Sequence, residues 1–85
     1  MTDAQKQACD FVRYVLEQIC ELKDKINVEP RAEEHETIIM AQVDESEMGR
    51  AIGKEGQTIS ALRTLVKIVG ARGEERLHLK VEPLV

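Results

Sequence analysis

The feature that most constrains the fold of this sequence is a pair of glycines, Gly53 and Gly56, placed directly before a long helical pattern. Glycine has no Cβ, so the backbone between these positions can turn tightly and remain open to an extended ligand. The following helix directs its unpaired first amides and the positive end of its dipole toward the turn, which favours a phosphate. Lys54 adds a cation at the tip. The sequence therefore predicts an anion-binding turn between two helices.

Aliphatic residues bracket this turn, since Ile52 directly precedes Gly53 and Ile59 follows Gly56 by three positions. The segment resembles the Ile-Gly-x-x-Gly-x-x-Ile signature of the KH domain, an RNA-binding module. The wider stretch from residue 49 to residue 66 is similar to the small bacterial single-KH proteins of the KhpA type. The resemblance implies a loop that holds the backbone of about four nucleotides of single-stranded RNA. It also implies an RNA chaperone or post-transcriptional regulator that acts as a homodimer or with a larger KH-containing protein.

The expected RNA contacts follow from this resemblance. The backbone amides of the turn and of the incoming helix contact phosphates, and Lys54 neutralises their charge. Met48, Ile52 and Ile59 form an aliphatic wall for the bases, and the basic side chains reach the RNA backbone or a base edge. The residues predicted to bind RNA are Arg50, Ile52, Gly53, Lys54, Glu55, Gly56, Ile59, Arg63 and Lys67.

Several of these residues have a plainer alternative interpretation. Ile52 and Ile59 fit core packing equally well, and Arg63 and Lys67 fit a solvated helix flank. Glu55 places a negative charge inside the turn, where it repels phosphate. Weak RNA binding of low sequence specificity is therefore expected.

Hydrophobic periodicity predicts the element order helix, strand, strand, helix, glycine turn, helix, strand. The first helix begins at Thr2, where Thr2 and Gln5 fit a capping box. Pro30 is expected to end the first strand or to place it at a sheet edge. Asp44 or Ser46 is expected to cap the short second helix. The predicted ranges are helix 2–22, strand 25–29, strand 37–43, a short helix through residue 52, helix 57–71 and strand 77–83.

This order predicts a two-layer α+β domain. The crossover between the second and third strands makes them parallel, whereas the short connection between the first and second strands makes them antiparallel. The result is a three-stranded mixed sheet with helices on one face, in the order α-β-β-α-α-β. That order matches the prokaryotic (type II) KH fold, and residues 1–85 are expected to form a single KH domain.

The second strand is apolar on both of its faces, which places it in the middle of the sheet. The sheet face without helices is then expected to show either Ile38 and Met40 or Ile39 and Val43. An exposed apolar patch on so small a domain is typical of an oligomer interface. The alternative function is therefore a protein-interaction or dimerisation module with a KH scaffold and only incidental RNA contact. On the long third helix, Ala61, Leu65 and Ile68 are expected to face a neighbouring helix.

The net charge of −4 argues against nucleic acid, but the charges are unevenly distributed. Residues 1–49 carry five Lys or Arg against twelve Asp or Glu, whereas residues 50–76 carry six against three. A local basic patch around the glycine turn is what matters for a ligand of a few nucleotides. Poor affinity for long duplexes is expected.

Other function classes lack support in the sequence. Lys54 precedes the second glycine and no Gly-Lys-Ser or Gly-Lys-Thr follows, so the turn is not a nucleotide-triphosphate loop. His35 and His78 lie in a polar connection and on a strand, and no nucleophile motif occurs, so no enzyme is expected. Cys9 and Cys20 share no metal-ligand spacing with the histidines, so neither metal nor cofactor is expected.

The sequence also bears on compartment and mode of binding. No apolar run is long enough to span a membrane and no signal peptide is recognisable, so a cytoplasmic protein without a membrane partner is expected. Cys9 and Cys20 lie too far apart along one helix to bridge each other and are expected to be reduced. Phe11 and Tyr14 are the only aromatic residues, so base-stacking platforms of the RRM or OB type are absent.

Overall fold

The computed structural model describes residues 1–84 and contains three α-helices and one three-stranded sheet within that range. Short 3-10 turns connect them at Lys23–Lys25, Glu45–Glu47 and Lys54–Gly56. The elements are α1 (Asp3–Ile19), β1 (Asn27–Ala32), β2 (Thr37–Val43), α2 (Met48–Ile52), α3 (Gln57–Arg72) and β3 (Leu77–Pro83).

The helix α1 begins at the predicted capping box. The Thr2 hydroxyl accepts a hydrogen bond from the backbone N–H of Gln5, and the Gln5 side chain accepts one from the backbone N–H of Thr2. One face of the helix enters the core, where Val12 and Leu16 are fully buried. Within residues 1–84, no helix has both the length and the apolar character needed to cross a bilayer.

The sheet has the order β1-β2-β3, so β2 is the central strand, as predicted. The β1 strand pairs with β2 in the antiparallel sense, with Val28 opposite Ala41. The β3 strand pairs with β2 in the parallel sense, with Leu79 opposite Ile39. The resulting α+β domain, in the order α-β-β-α-α-β, fits the type II KH fold and confirms the predicted fold class.

The two faces of β2 differ in their surroundings. Ile39, Ala41 and Val43 join the core cluster formed with α1 and α3, and each is fully buried. Ile38 and Met40 point to the opposite face, which none of the helices described in residues 1–84 covers. Met40 is nevertheless only 4% exposed. Its neighbours across the sheet are Glu29 and Lys80. The uncovered sheet face is therefore lined largely by polar side chains, and the expected apolar patch is confined to half-buried Ile38.

Helix α1 ends three residues before the predicted boundary. The backbone N–H groups of Glu21 and Leu22 donate to the Glu47 carboxylate instead of continuing the helix. The first strand is shifted toward the C-terminus by two to three residues and retains Pro30, which is tolerated because β1 is an edge strand.

Helix α3 ends at Arg72, one residue beyond the predicted range, and Gly73 caps it. Gly70 lies inside the helix, buried, where an added Cβ would come within 2.8 Å of the Glu75 carbonyl oxygen. One expectation for α3 was wrong. Ala61, Leu65 and Ile68 do not pack against a neighbouring helix: Leu65 is 42% and Ile68 is 53% exposed. The reason is that α1 covers a different flank of α3.

Candidate nucleic-acid interface

The glycine turn has a backbone that only glycine adopts readily at two positions. Gly53 has φ 81° and ψ 171°, in a region that is essentially restricted to glycine. Glu55 and Gly56 both have left-handed backbones, with φ values of 55° and 74°. The turn closes on itself through a hydrogen bond from the Gly56 N–H to the Gly53 carbonyl oxygen, at 3.1 Å. The predicted turn therefore exists as a tight connection between α2 and α3.

The two glycines have different neighbours. A Cβ on Gly53 would overlap the side chain of Thr58 and lie 2.9 Å from its backbone nitrogen. A Cβ on Gly56 would meet no atom within 4 Å. Gly53 is thus required for internal packing as well as for its backbone angles, whereas the space over Gly56 is open to a ligand.

The turn leads into the N-terminus of α3, which carries no side-chain cap among the described residues and no acidic residue in its first turn. Its first amides therefore have no side-chain partner, although the Gln57 N–H donates to the Lys54 carbonyl oxygen. No acidic residue of the first turn offsets the positive end of the dipole, and the nearest carboxylate along the chain is that of Glu55 before the cap. Lys54 and Glu55 are both exposed at the tip of the turn. A phosphate placed here would meet one mobile cation and one carboxylate.

The aliphatic residues around the turn are partly accessible. Ile52 is 37% exposed at the end of α2, and Ile59 is half-buried in the first turn of α3. Met48 packs against the core. Core packing accounts for Met48, whereas Ile52 presents apolar surface beside the turn.

Arg63 and Lys67 line a groove between α3 and the outer edge of β3. The Arg63 Nε donates to the backbone carbonyl oxygen of Leu79, at 3.4 Å. The groove contains a depression of about 500 Å³ that continues into one of about 380 Å³. The first is lined by Glu36, Ile38, Arg63, Lys67, His78, Leu79 and Lys80, and the second by Lys67, Ala71, Glu75, Arg76, Leu77 and His78. We call these two depressions together the β3 groove.

Lys80 and His78 belong to this groove but were not among the residues predicted from the sequence. Both alternate with the buried Leu77 and Leu79 along β3, so the period-two pattern already placed them on the opposite strand face. What the sequence did not show is that Arg63 of α3 lies against this edge strand. His78 also pairs with Glu36, with 2.7 Å between Nε2 and Oε1.

Arg50 is placed differently from the other predicted contacts. Its guanidinium lies 3.1 Å from a Glu21 carboxylate oxygen and 3.7 Å from a Glu47 oxygen, beside the C-terminal end of α1. Arg50 and Ile52 lie two positions apart on α2, so their side chains point in directions about 200° apart around the helix axis. The structure therefore does not bring Arg50 together with Ile52, Arg63 and Lys67.

Glu47 is the one buried charged residue among residues 1–84, at 4% exposure. Its carboxylate accepts backbone N–H groups from Leu22 at 2.7 Å and from Glu21 at 2.9 and 3.0 Å. The Leu22 hydrogen bond is the main cause that lowers the pKa of Glu47, and the Glu21 N–H and Arg50 add to it. This anchor fixes the start of α2, and therefore the glycine turn, against the end of α1.

Other titratable groups of the protein also have shifted pKa values. Two hydrogen bonds from Ser46, from its hydroxyl and its backbone N–H, lower the pKa of Asp44, which caps the turn before α2. Burial raises the pKa of the free thiols of Cys9 and Cys20. Within residues 1–84, no three His, Cys, Asp or Glu side chains come close enough together to hold a metal ion.

Comparisons with known proteins agree with this geometry. A family model described as "KhpA/KhpB, KH domain" matches residues 9–81. The RNA-binding protein KhpA of Aquifex aeolicus is 32% identical over 72 residues, which cover 85% of this chain and 91% of that protein. The RNA-binding protein KhpA of Chlamydia caviae is 29% identical over the same length, with 85% and 92% covered.

A crystal structure of a variant of Aquifex aeolicus Era superposes with a TM-score of 0.62 at 17% sequence identity. The match covers 98% of this chain but only 32% of Era, so the chain spans about a third of that protein. At this identity the likeness concerns the fold alone. The family model, in contrast, spans most of the sequence, and the chain therefore belongs to the KhpA/KhpB KH-domain family.

Proposed function

We propose that this protein binds a short segment of single-stranded RNA through the turn formed by Gly53, Lys54, Glu55 and Gly56. The observation that carries the proposal is an open backbone at Gly56 that leads into an uncapped helix N-terminus. Such an N-terminus attracts phosphate through its amides and its dipole. The matching relatives from Aquifex and Chlamydia are named RNA-binding proteins, which supports the same function here.

The remaining residues have distinct roles in this proposal. Lys54 neutralises a phosphate, and Ile52 and Ile59 offer apolar surface to the bases. Arg63 and Lys67 contact the RNA backbone along the β3 groove, where exposed Lys80 adds a third cation. Arg50 reaches a phosphate only by leaving Glu21, so its contribution is smaller. Glu55 weakens binding by repulsion.

The cellular role that follows is that of an RNA chaperone or post-transcriptional regulator in the cytoplasm, with the whole chain acting as one KH domain and not as an enzyme. Its two buried cysteines are free thiols, which is consistent with a reducing compartment.

The test compares RNA binding by the native chain with that by the double variant Lys54→Asp/Glu55→Asp. Aspartate is among the residues that tolerate the left-handed backbone at position 55, so the turn should survive. The variant should bind a single-stranded oligonucleotide about tenfold more weakly, because an attractive charge becomes repulsive. The matched control is Lys23→Asp, which makes the same change in net charge on an exposed turn elsewhere. Equal affinity of the native chain and the double variant would remove the turn from the mechanism.

A second candidate function is association with another KH domain, either a second copy of this chain or a larger partner. The observation that favours it is the exposed apolar surface of α3, where Leu65 and Ile68 lie one turn apart. The double variant Leu65→Glu/Ile68→Glu should sediment as a monomer if this surface joins two copies. Sedimentation of the native chain with and without RNA separates the two functions, since a dimer indifferent to RNA favours the scaffold role.

A further inference from the structure

The surface charge changes sign where the β3 groove meets a neighbouring depression. The part lined by Arg63, Lys67 and Lys80 is basic. Beyond it lies a depression of about 370 Å³, lined by Glu33, His35, Glu36, Thr37, Glu74, Glu75 and Arg76. We call Glu33, Glu36, Glu74 and Glu75 the acidic end. Arg76 is the one Lys or Arg among the residues lining this depression, against four carboxylates.

The basic part and the acidic end form one continuous surface. Glu36 lines both the basic depression and the acidic one. Glu75 and Arg76 likewise line both the acidic depression and the other depression of the groove. An RNA strand that follows α3 from the glycine turn therefore passes Arg63, Lys67 and Lys80 first and meets the acidic end afterwards.

One of these carboxylates, that of Glu75, is held in position by hydrogen bonds, and a second, that of Glu36, lies beside a histidine. Glu75 accepts hydrogen bonds from the Thr2 hydroxyl at 2.6 Å and from the Gln5 side-chain amide at 3.2 Å. Glu36 lies 2.7 Å from the imidazole of His78. The two hydrogen bonds therefore hold the Glu75 carboxylate at the groove, and Glu36 is placed there next to the His78 ring.

We propose that the acidic end terminates the RNA track of this protein, so that a strand gripped at the glycine turn leaves the surface before it reaches Glu36 and Glu74. This inference rests on the proposed function. The physical reason is repulsion between phosphates and the carboxylates of the acidic end, where Arg76 is the one lining cation to offset it. One copy of the chain then engages about four nucleotides. A longer strand gains no further phosphate contacts.

The salt dependence of RNA binding measures the number of phosphates contacted. For single strands the slope of log K against log salt is about −0.7 per phosphate. Unlike affinity, this slope is unaffected by the larger number of binding registers on a longer strand. The experiment measures it by fluorescence anisotropy with a labelled tetrauridylate and a labelled octauridylate. The native chain is compared with Glu33→Gln/Glu36→Gln/Glu74→Gln, and Glu75 is left intact because it anchors α1.

The native chain should give the same slope with both oligonucleotides. The triple variant should give an unchanged slope with the tetramer and a steeper one with the octamer, by about 0.7 for each added phosphate. The matched control is Asp10→Asn/Glu17→Gln/Asp24→Asn, which removes the same charge from α1 and the turn after it. The control should behave as the native chain does, and circular dichroism establishes that all three proteins are folded.

Each of three outcomes would overturn this inference and leave the proposed function intact. The native chain could give a steeper slope with the octamer than with the tetramer, the octamer slope of the triple variant could equal that of the native chain, or the control could show the same change in octamer slope as the triple variant. The last would show an effect of net charge without regard to position. Failure of the native chain to bind the tetramer at any salt concentration would overturn the proposed function together with this inference.

Discussion

The side-chain carboxylate of Glu47 accepts a hydrogen bond from the backbone N–H of Leu22 at 2.7 Å, which joins the start of α2 to the chain just beyond α1. The two residues are 25 positions apart in the sequence. Because α2 is only five residues long and leads directly into Gly53, this contact determines where the glycine turn sits relative to the core.

The variant Glu47→Gln should unfold at a temperature lower by about 5 °C or more, because an amide replaces a charged acceptor of several backbone N–H groups. The pKa of Glu47 is lowered in the fold, so its stabilisation is complete above the ordinary carboxyl pKa of 4.5 and is lost as the pH falls through the lower folded value. The native chain should therefore lose stability more steeply on acidification than the variant does. Thermal unfolding followed by circular dichroism across this pH range checks both.

Glu45→Gln is the matched control for Glu47, since Glu45 lies in the same turn but is exposed. It should leave the melting temperature and the acid profile almost unchanged. Parallel acid profiles for the native chain and Glu47→Gln would contradict the assigned role of this carboxylate.

The thiol of Cys20 should resist alkylation in the folded protein. Burial is the first cause that raises its pKa, and the nearby negative charge of Glu47 raises it further. The reactive thiolate is therefore scarce at neutral pH, and the sulfur is shielded. Labelling with a thiol reagent should be slow in the native chain and fast in denaturant. Rapid native labelling at Cys20, located by peptide mass analysis, would show that the end of α1 opens easily.

The sequence was sufficient to predict the element order and the pairing of all three strands. The range of β2 was predicted as observed because its run of apolar residues is flanked by polar ones and ends before a capping Asp44. The glycine turn was predicted because the positive φ values at Gly53 and Gly56 need residues that tolerate them. Local signals of this kind are encoded within a few residues.

What the sequence did not reveal depends on contacts between distant segments. The burial of Glu47 depends on backbone groups of Glu21 and Leu22, which are separated from it in the sequence by β1 and β2, so no local pattern indicates it. The exposure of Leu65 and Ile68 follows from the flank of α3 that α1 happens to cover. The predicted strand order already places β3 at an edge, but Lys80 joins the candidate site only because α3 packs with Arg63 against that edge.

Alanine substitutions at the two glycines of the turn should have different consequences. Gly56→Ala should cost about 1 kcal/mol of stability, because its left-handed backbone is strained for alanine but the space is open. Gly53→Ala should cost about 3 kcal/mol or more, because its backbone region is essentially restricted to glycine and a Cβ would overlap Thr58. Urea unfolding measures both losses.

RNA binding by Gly56→Ala tests whether the ligand passes over this glycine. Gly56→Ala remains folded, so any loss of affinity at low temperature reports the methyl group placed where the proposed ligand passes. We expect a loss of several-fold for a tetranucleotide. An unchanged affinity of folded Gly56→Ala would mean that the ligand backbone does not approach this position.

Gly49→Ala and Gly70→Ala should have opposite effects on stability, although both glycines lie within helices and alanine is the better helix former. A Cβ on Gly49 would meet no atom within 4 Å, so this variant should gain about 0.5 kcal/mol. A Cβ on Gly70 would lie 2.8 Å from the Glu75 carbonyl oxygen and 2.8 Å from the Leu77 side chain. Relieving that overlap requires α3 to move away from β3, which should cost about 1–3 kcal/mol. Urea denaturation measures the free energy of unfolding of both variants. A stabilised Gly70→Ala variant would contradict the observed packing of α3 against β3.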